Sequence, residues 1–317
     1  MLSEFKIKVN YFNNWNHHQY GWKGAISDLK KQINSVHKDS VLLEPCIEDT
    51  FITNYYNNIN RIELYRNNDW IGFSHHSLTD ENIHLRLNKI IQMKIFSEAF
   101  QNLKGLFVLT NYQKKMLSSF PFFKNIPISV IRHPISFDFK KYNLDSLNFS
   151  GKLLPIPYGN LVSVDGHQRD YEVFSKIKSK YKKILLSSSI NKKSESDSKF
   201  LSRNRVWKIT KRYTQHEYED IITNNVHFVE LKSPTASNYL LECISSNSPI
   251  FVNREPCIEE YLGKDYPLFY YDETDVNFSK ENILKGVEYL KTRNFKSLDV
   301  KTFGKRILRS KVYQSIK

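Results

Sequence analysis

Apolar residues recur along this chain in two rhythms, one of continuous or alternating runs and one near helical spacing. FKIKVNYF alternates and predicts a strand, and GWKGAISDLKKQINSV then reads as an amphipathic helix. SVLLEPCI predicts a short buried strand, and DWIGFSHH a strand that ends in polar residues. IHLRLNKIIQMKIFSEAFQNL carries apolar residues at helical spacing. GLFVLT is a continuous apolar run, as expected of a parallel strand covered on both faces. NYQKKMLSSF predicts a helix, and PISVIRHPI a strand closed by two prolines. The rhythm is lost from Phe137 to Tyr158, a stretch with the look of a linker, and then restarts. NLVSVDG, KKILLSSS, NVHFVEL, SPIFVN and PLFYYD predict strands. RDYEVFSKIKSKY, HEYEDIITN, SNYLLECISSN, IEEYLG and NILKGVEYLKTR predict the helices between and after them. Alternating strands and helices imply parallel sheets. The expected fold class is α/β, with two Rossmann-like domains, a cleft between them, and ligands at the carboxyl ends of the strands.

At 317 residues the chain exceeds what one core comfortably fills, which supports two domains, drawn at 1–150 and 151–317. The last helix is expected to be able to pack back on the first domain. A hydrophobic content of 40% argues against wholesale disorder. No apolar run is long enough to span a bilayer. MLSEFKIKVNYF places charges inside its apolar stretch, so no signal peptide is expected. Cys46, Cys243 and Cys257 lack metal spacing and cannot all pair, which fits buried thiols in a reducing cytosol. The net charge of +14 invites a phosphate-rich partner, although a Lys- and Asn-rich composition accounts for much of it. Its distribution is more telling. Lys176 to Arg212 holds thirteen Lys or Arg against Glu195 and Asp197, and the tail after Asp299 is basic (Lys301, Lys305, Arg306, Arg309, Lys311, Lys317).

The most informative stretch runs from Glu217 to Asp272. A strand leads into the small polar turn SPTASN, which opens the helix YLLECI. Ser237 or Asn238 is the expected N-cap, leaving backbone amides and the helix dipole to receive an anion. Glu242 falls four residues after Asn238 on the same face, where a carboxylate can accept both hydroxyls of a ribose. The plainer reading is a capped helix with a solvated glutamate.

This block resembles a family of GT-B-fold glycosyltransferases of bacterial polysaccharide clusters and viruses. The matching residues are Ala236, Ser237, Asn238, Glu242, Cys243, Ile244, Asn247, Pro249, Ile250, Val252, Asn253, Glu260, Tyr261, Leu262, Gly263, Tyr266 and Pro267. NDWIGFSHH, GLFVLTNYQKKML, PISVIRHPI and DGHQRD resemble further family segments, so the resemblance spans roughly Gly21 to Asp272. It implies a nucleotide-sugar donor held mainly by the second domain. Glu242 would hold the ribose, and Ser237 and Asn238 would meet the diphosphate or the sugar. Arg169 after Gly166, helped by Arg203, Arg205 or Lys208, would offset the diphosphate charge. Many retaining relatives carry E-x7-E, but Pro234 stands eight positions before Glu242, which leaves the anomeric outcome open. Glu260 would lie in a packing segment or near the donor.

No D-x-D motif occurs in the chain. A metal clamp on a nucleotide diphosphate needs such carboxylates, so no cofactor and no divalent metal are expected. An inverting transfer needs a base, and His75 and His76, at a predicted strand end, are the catalytic candidates beside an ordinary role as surface or capping residues. Asp80, Glu44 and Glu48 are rivals. His133, in RHP, lines the hinge or is structural. His17, His18 and Trp22 resemble an acceptor-side loop. Tyr55, Tyr56 and Trp70 either stack on a sugar or belong to the core.

The leading expectation is a glycosyltransferase, hexosyl or pentosyl, acting on a glycan or lipid-linked glycan in surface polysaccharide assembly. It would be cytoplasmic, with its basic tail able to touch the anionic inner membrane face. A DNA glycosyltransferase acting on a modified base fits the positive charge but lacks a nucleic-acid motif. A degenerate glycan-binding domain is supported only by the missing first glutamate.

Overall fold

The structure, a computed structural model, describes residues 7–9, 21–32, 40–53, 59–76, 87–148, 152–153, 157–164, 169–187, 204–211 and 213–316. The chain forms two compact units. The first comprises Met1–Ser136, Ser233–Ala236 and Phe295–Lys317, and the second Phe137–Lys232 and Ser237–Asn294.

The first unit is built on five parallel strands in sequential order: β1 (Ile7–Val9), β2 (Val41–Glu44), β3 (Trp70–Ser74), β4 (Leu103–Val108) and β5 (Ile128–Val130). Successive side chains alternate between two cores. Leu43, Ile71, Phe73 and Phe107 pack with Trp22, Ile26 and Leu29 of helix α1 (Trp22–Gln32). Leu42, Trp70, Leu106 and Val108 pack on the other face. That face is covered by helices α2 (Ile59–Asn67), α3 (Leu87–Ile90), α4 (Lys94–Phe100) and α5 (Asn111–Ser119). The segment expected as one helix before β4 is two, α3 and α4, separated by a turn at Ile91–Met93. Helix α5 begins where the Thr110 side chain accepts from the Gln113 amide.

The second unit holds a six-stranded parallel sheet and a small hairpin of β6 (Lys152–Leu153) and β7 (Pro157–Tyr158). The sheet strands are β8 (Leu161–Val164), β9 (Lys183–Ser187), β10 (Val206–Thr210), β11 (Val226–Val229), β12 (Ile250–Asn253) and β13 (Phe269–Tyr270). Their spatial order is β10-β9-β8-β11-β12-β13, the doubly wound arrangement. The order reverses between β8 and β11, so the crevice beyond their carboxyl ends is where such a sheet accepts ligands. Strand β10 was not anticipated; its stretch reads as part of a basic run.

Helices α6 (Tyr171–Lys176), α7 (Gln215–Thr223), α8 (Asn238–Ser246), α9 (Pro256–Leu262) and α10 (Lys280–Thr292) complete the unit. Helix α7 starts with a reciprocal capping box between Thr214 and Glu217. Helix α8 is buried from Tyr239 to Ser246 and ends at Asn247, whose left-handed φ of 59° closes the last turn. Helices α11 (Phe303–Leu308) and α12 (Lys311–Ser315) return to the first unit. There α12 reaches β4 at Gly105, where a Cβ would lie 2.6 Å from Val312 Cγ1. Among the described residues, no helix is long and apolar enough to cross a membrane.

Candidate functional site

At the switch point of the second unit, β8 leads into Arg169 and β11 into Leu231, and these two residues form an isolated antiparallel bridge. The Asp170 amide donates to the Glu230 carbonyl at 2.9 Å, which fixes the crevice wall. Beyond β11 the chain enters α8, whose N-cap is Ser237; its hydroxyl accepts from the Leu240 amide at 3.4 Å. Asn238 is therefore the first helical residue.

Glu242 lies one turn further on and is buried, so the expectation of a solvated glutamate is overturned. The Tyr218 hydroxyl of α7 donates to its Oε2 at 2.7 Å. Burial pushes the Glu242 carboxyl up to about 7, against the opposing effects of the Tyr218 hydrogen bond and the Arg169 charge. Burial, with the Glu242 charge second, pushes the Tyr218 hydroxyl well above its ordinary value. The Arg169 guanidinium donates to the Val164 carbonyl at 2.9 Å and stands 5.2 Å from the centre of the Tyr239 ring. The result is one cation, one carboxyl that titrates near neutrality and the first turn of a nine-residue helix at one end of the sheet.

The ring of Tyr239 is braced from behind. Its hydroxyl lies 2.7 Å from Nδ1 of His227 and 2.9 Å from the Val162 carbonyl, two acceptors that share its one proton. Burial holds His227 down to about 4, and its Nε2 donates to the Ile222 carbonyl at 2.7 Å, so it is a neutral core residue. Further along the carboxyl rim, the Tyr270 hydroxyl donates to Glu230 at 2.6 Å, and burial raises the Glu230 carboxyl. Asn253 clamps the Leu231 backbone, accepting from its amide at 2.8 Å and donating to its carbonyl at 2.9 Å.

The structure does not place every expected donor residue with these. Gly166 and Arg203 lie outside the described residues. Arg205 precedes β10 and so sits at the amino end of a strand parallel to β8, the rim opposite Arg169. Lys208 is mid-strand on β10, paired with Leu185 and two strands from β8. The Glu260–Gly263 segment packs: Tyr261 and Leu262 are buried, and Gly263 ends α9 at φ 88° against the Arg293 guanidinium. That backbone region belongs to glycine.

In the first unit the carboxyl end of β3 carries a second constellation. Glu48 is fully buried, and its carboxylate accepts from the Ser74 hydroxyl at 2.8 Å and from the amides of His75 and His76, each at 3.0 Å. The Gln113 side-chain amide donates to the carbonyls of Ser74 at 3.2 Å and His76 at 3.1 Å. Glu44 is equally buried, bonded by the Tyr65 hydroxyl at 2.6 Å and the Cys46 amide at 2.8 Å. Both glutamates thus spend their oxygens on the fold.

His75 sits edge-on to Trp22, ring centroids 4.6 Å apart, with Nε2 at 2.9 Å from the Pro45 carbonyl. Burial pushes it down to about 3, so the ring is neutral, with the proton on Nε2. Such a ring is a weak base but a well-placed hydrogen-bonding group. His76 is half-exposed on the same turn. His133 is buried, with Nδ1 at 3.0 Å from the Pro134 carbonyl and its ring 5.5 Å from that of Trp22. Trp22 is fully buried, and its indole N–H has no hydrogen-bond partner among the described residues. Thr235, which belongs to this unit, donates its hydroxyl to the His75 carbonyl. Trp70 is a core residue whose indole donates to the Ala99 carbonyl at 2.7 Å. His17, His18, Tyr55, Tyr56 and Asp80 lie outside the described residues.

Sequence reasoning missed Tyr218, Glu230 and Gln113. Tyr218 is one of 19 tyrosines, and nothing in its local string marks it as the partner of a glutamate 24 positions on.

No protein-family model matches the chain, and a search of curated proteins found no match either. Solved structures do resemble it. Sucrose-phosphate synthase from Thermosynechococcus elongatus superposes with a TM-score of 0.61 at 11% identity, over 90% of this chain and 77% of that one. Anabaena HepE in complex with UDP-glucose gives 0.59 at 10% identity, over 89% and 80%. The catalytic domain of starch synthase IV from Arabidopsis thaliana, bound to ADP and acarbose, gives 0.51 at 11%, over 92% and 76%. At these identities the likeness is one of fold. The expected α/β class with two Rossmann-like domains, the GT-B architecture, holds.

Proposed function

We propose that the chain is a glycosyltransferase that binds a nucleotide-diphosphate sugar through its second unit and passes the sugar to a glycan or lipid-linked glycan acceptor. The observation that carries this reading is the buried Glu242–Tyr218 pair beside Arg169, one turn into the helix that follows the switch-point strand. Glu242 would take the ribose diol, and Arg169 with the α8 amides would meet the diphosphate. That set supplies positive charge for the leaving group without a divalent ion, which supports a metal-independent transfer. The likeness in fold to HepE, solved in complex with UDP-glucose, supports the same donor class.

A panel of nucleotide sugars tests this by thermal shift. One nucleotide family is expected to stabilise the protein by about 2–3 kcal/mol at a hundredfold excess over Kd, unchanged by EDTA. Glu242→Ala should abolish the shift. Absence of stabilisation by any nucleotide would sink the donor site, and a shift lost in EDTA would sink metal independence.

For the proton, the geometry favours a division of labour at the β3 turn. His75, neutral and wedged against Trp22, would position a hydroxyl, while half-exposed His76 would handle its proton. Alanine at both positions is expected to lower turnover by about two to four orders of magnitude, as loss of a general base does, while leaving the nucleotide shift intact. Unchanged turnover would remove both residues from the chemistry.

A further inference from the structure

Four described cations of the basic run Lys176 to Arg212 lie toward the rim of the sheet opposite Arg169. Lys178, Lys180 and Lys182 precede β9, and Arg205 precedes β10. Val206 pairs with Lys183, so Lys182 and Arg205 each stand just before the first paired residues of two adjacent parallel strands. The strands are five residues long, which sets this rim roughly 15 Å from the carboxyl ends that carry Arg169. No acidic residue occurs at 178–183 or 204–211. Among the described residues, none of these four cations forms an ion pair, whereas Lys176 and Lys211 are each matched by a glutamate.

A ring lies in the middle of this charge. Trp207, on edge strand β10, is 52% exposed, and the Lys182 ammonium stands 3.7 Å from its ring centroid. Among the described strands β10 is the edge of the sheet, so the indole stands beside these cations with half of its surface open. We propose that the amino-end rim of β9 and β10 binds an acidic glycan, a sugar ring lying on Trp207 and its carboxylates or phosphates meeting Lys178, Lys180, Lys182 and Arg205. This rests on the glycosyl-transfer reading, since it would make an anionic polymer the acceptor class and this rim its anchoring site away from the chemistry.

Two other polyanions fit less well. Single-stranded nucleic acid is held on successive aromatic platforms, whereas here one ring is open and Tyr181 is half-buried, edge-on to Phe278. Membrane insertion wants an apolar cluster, and Trp207 is the only large exposed hydrophobic residue of these two stretches.

Binding of polygalacturonate, with dextran as the neutral control, tests the proposal on the full chain. The wild type is expected to bind polygalacturonate in a salt-dependent manner and to ignore dextran. Trp207→Ala and the double variant Lys180→Ala/Lys182→Ala should each bind roughly tenfold more weakly, with unchanged melting temperature and unchanged nucleotide shift. Wild type that fails to bind polygalacturonate, or variants that bind as it does, would overturn the proposal. So would tighter binding, at matched salt, of an oligodeoxynucleotide or of phosphatidylglycerol vesicles. If the variants lose polygalacturonate but no nucleotide stabilises the wild type, the donor reading fails and the glycan surface stands.

Discussion

Replacing Glu48 with alanine is expected to destabilise the first unit by about 3 kcal/mol or more, since it leaves buried donors without an acceptor at about 1–3 kcal/mol each. Four groups converge on that carboxylate: the Ser74 hydroxyl at 2.8 Å, the amides of His75 and His76 at 3.0 Å and the Cys46 thiol at 3.6 Å. Glu48 and Ser74 are fully buried, so the hydroxyl in particular is left without that acceptor. The Cys46 thiol reports the same environment, pushed well up by burial and next by the Glu48 charge. Denaturant unfolding measures the loss. Glu48→Gln keeps one acceptor oxygen and should cost about half as much. An alanine variant within about 0.5 kcal/mol of wild type would mean that the β3 turn holds itself, through Gln113 alone.

The consequence reaches beyond stability. The same amides set where His75 and His76 stand, and Gln113 clamps the flanking carbonyls from the other side. A turn fixed from both sides presents its side chains with little freedom, which is what positioning of a reacting hydroxyl demands.

The strands were legible in the sequence where burial on both faces leaves continuous apolar runs, as in GLFVLT of β4 and PIFVN of β12. Strand β10 was not, because an edge strand packs incompletely: Trp207 and Lys208 break the apolar run and hide it inside a charge cluster. Arg205, expected from the resemblance as a helper at the diphosphate, precedes a parallel strand and so lies at the amino end. The helix before β4 was legible as helical but not as broken, for apolar spacing continues through the turn at Ile91–Met93. Ser237 as N-cap follows from local chemistry and could be read. The burial of Glu242 could not be read, because its partner Tyr218 lies on another helix and long-range pairing leaves no trace in spacing. Glu44 and Glu48 show the same thing: a glutamate near a strand end looks available until the donors bonded to it are counted.

Donor affinity is expected to fall about tenfold as the pH drops from about 8 to about 6, through Glu242. The carboxyl is held up to about 7 in the free protein because burial disfavours its charge. A ribose diol donates two hydrogen bonds, which favour the charged form, so binding draws the pKa down and releases a proton. Below about 7 the free protein must first lose that proton, and affinity falls by about a factor of ten per pH unit; above it the affinity is flat. Stability runs in the opposite sense. Between the ordinary value of 4.5 and about 7 the folded state keeps a proton that the unfolded chain has lost, so this group's contribution to stability declines as pH rises through that window. Its full span is about 3 kcal/mol at 1.36 kcal/mol per unit. Calorimetry in two buffers of different ionisation enthalpy reads the released proton directly. A nucleotide-diphosphate sugar is the proper probe, because its diphosphate does not titrate in this range. Glu242→Gln, which cannot ionise, should bind weakly and without pH dependence, and should lose wild type's decline in stability above the ordinary carboxylate range. A wild-type affinity that is flat from about pH 6 to about pH 8, or a glutamine variant that keeps the slope, would place the ribose elsewhere and leave Glu242 a core carboxyl held by Tyr218.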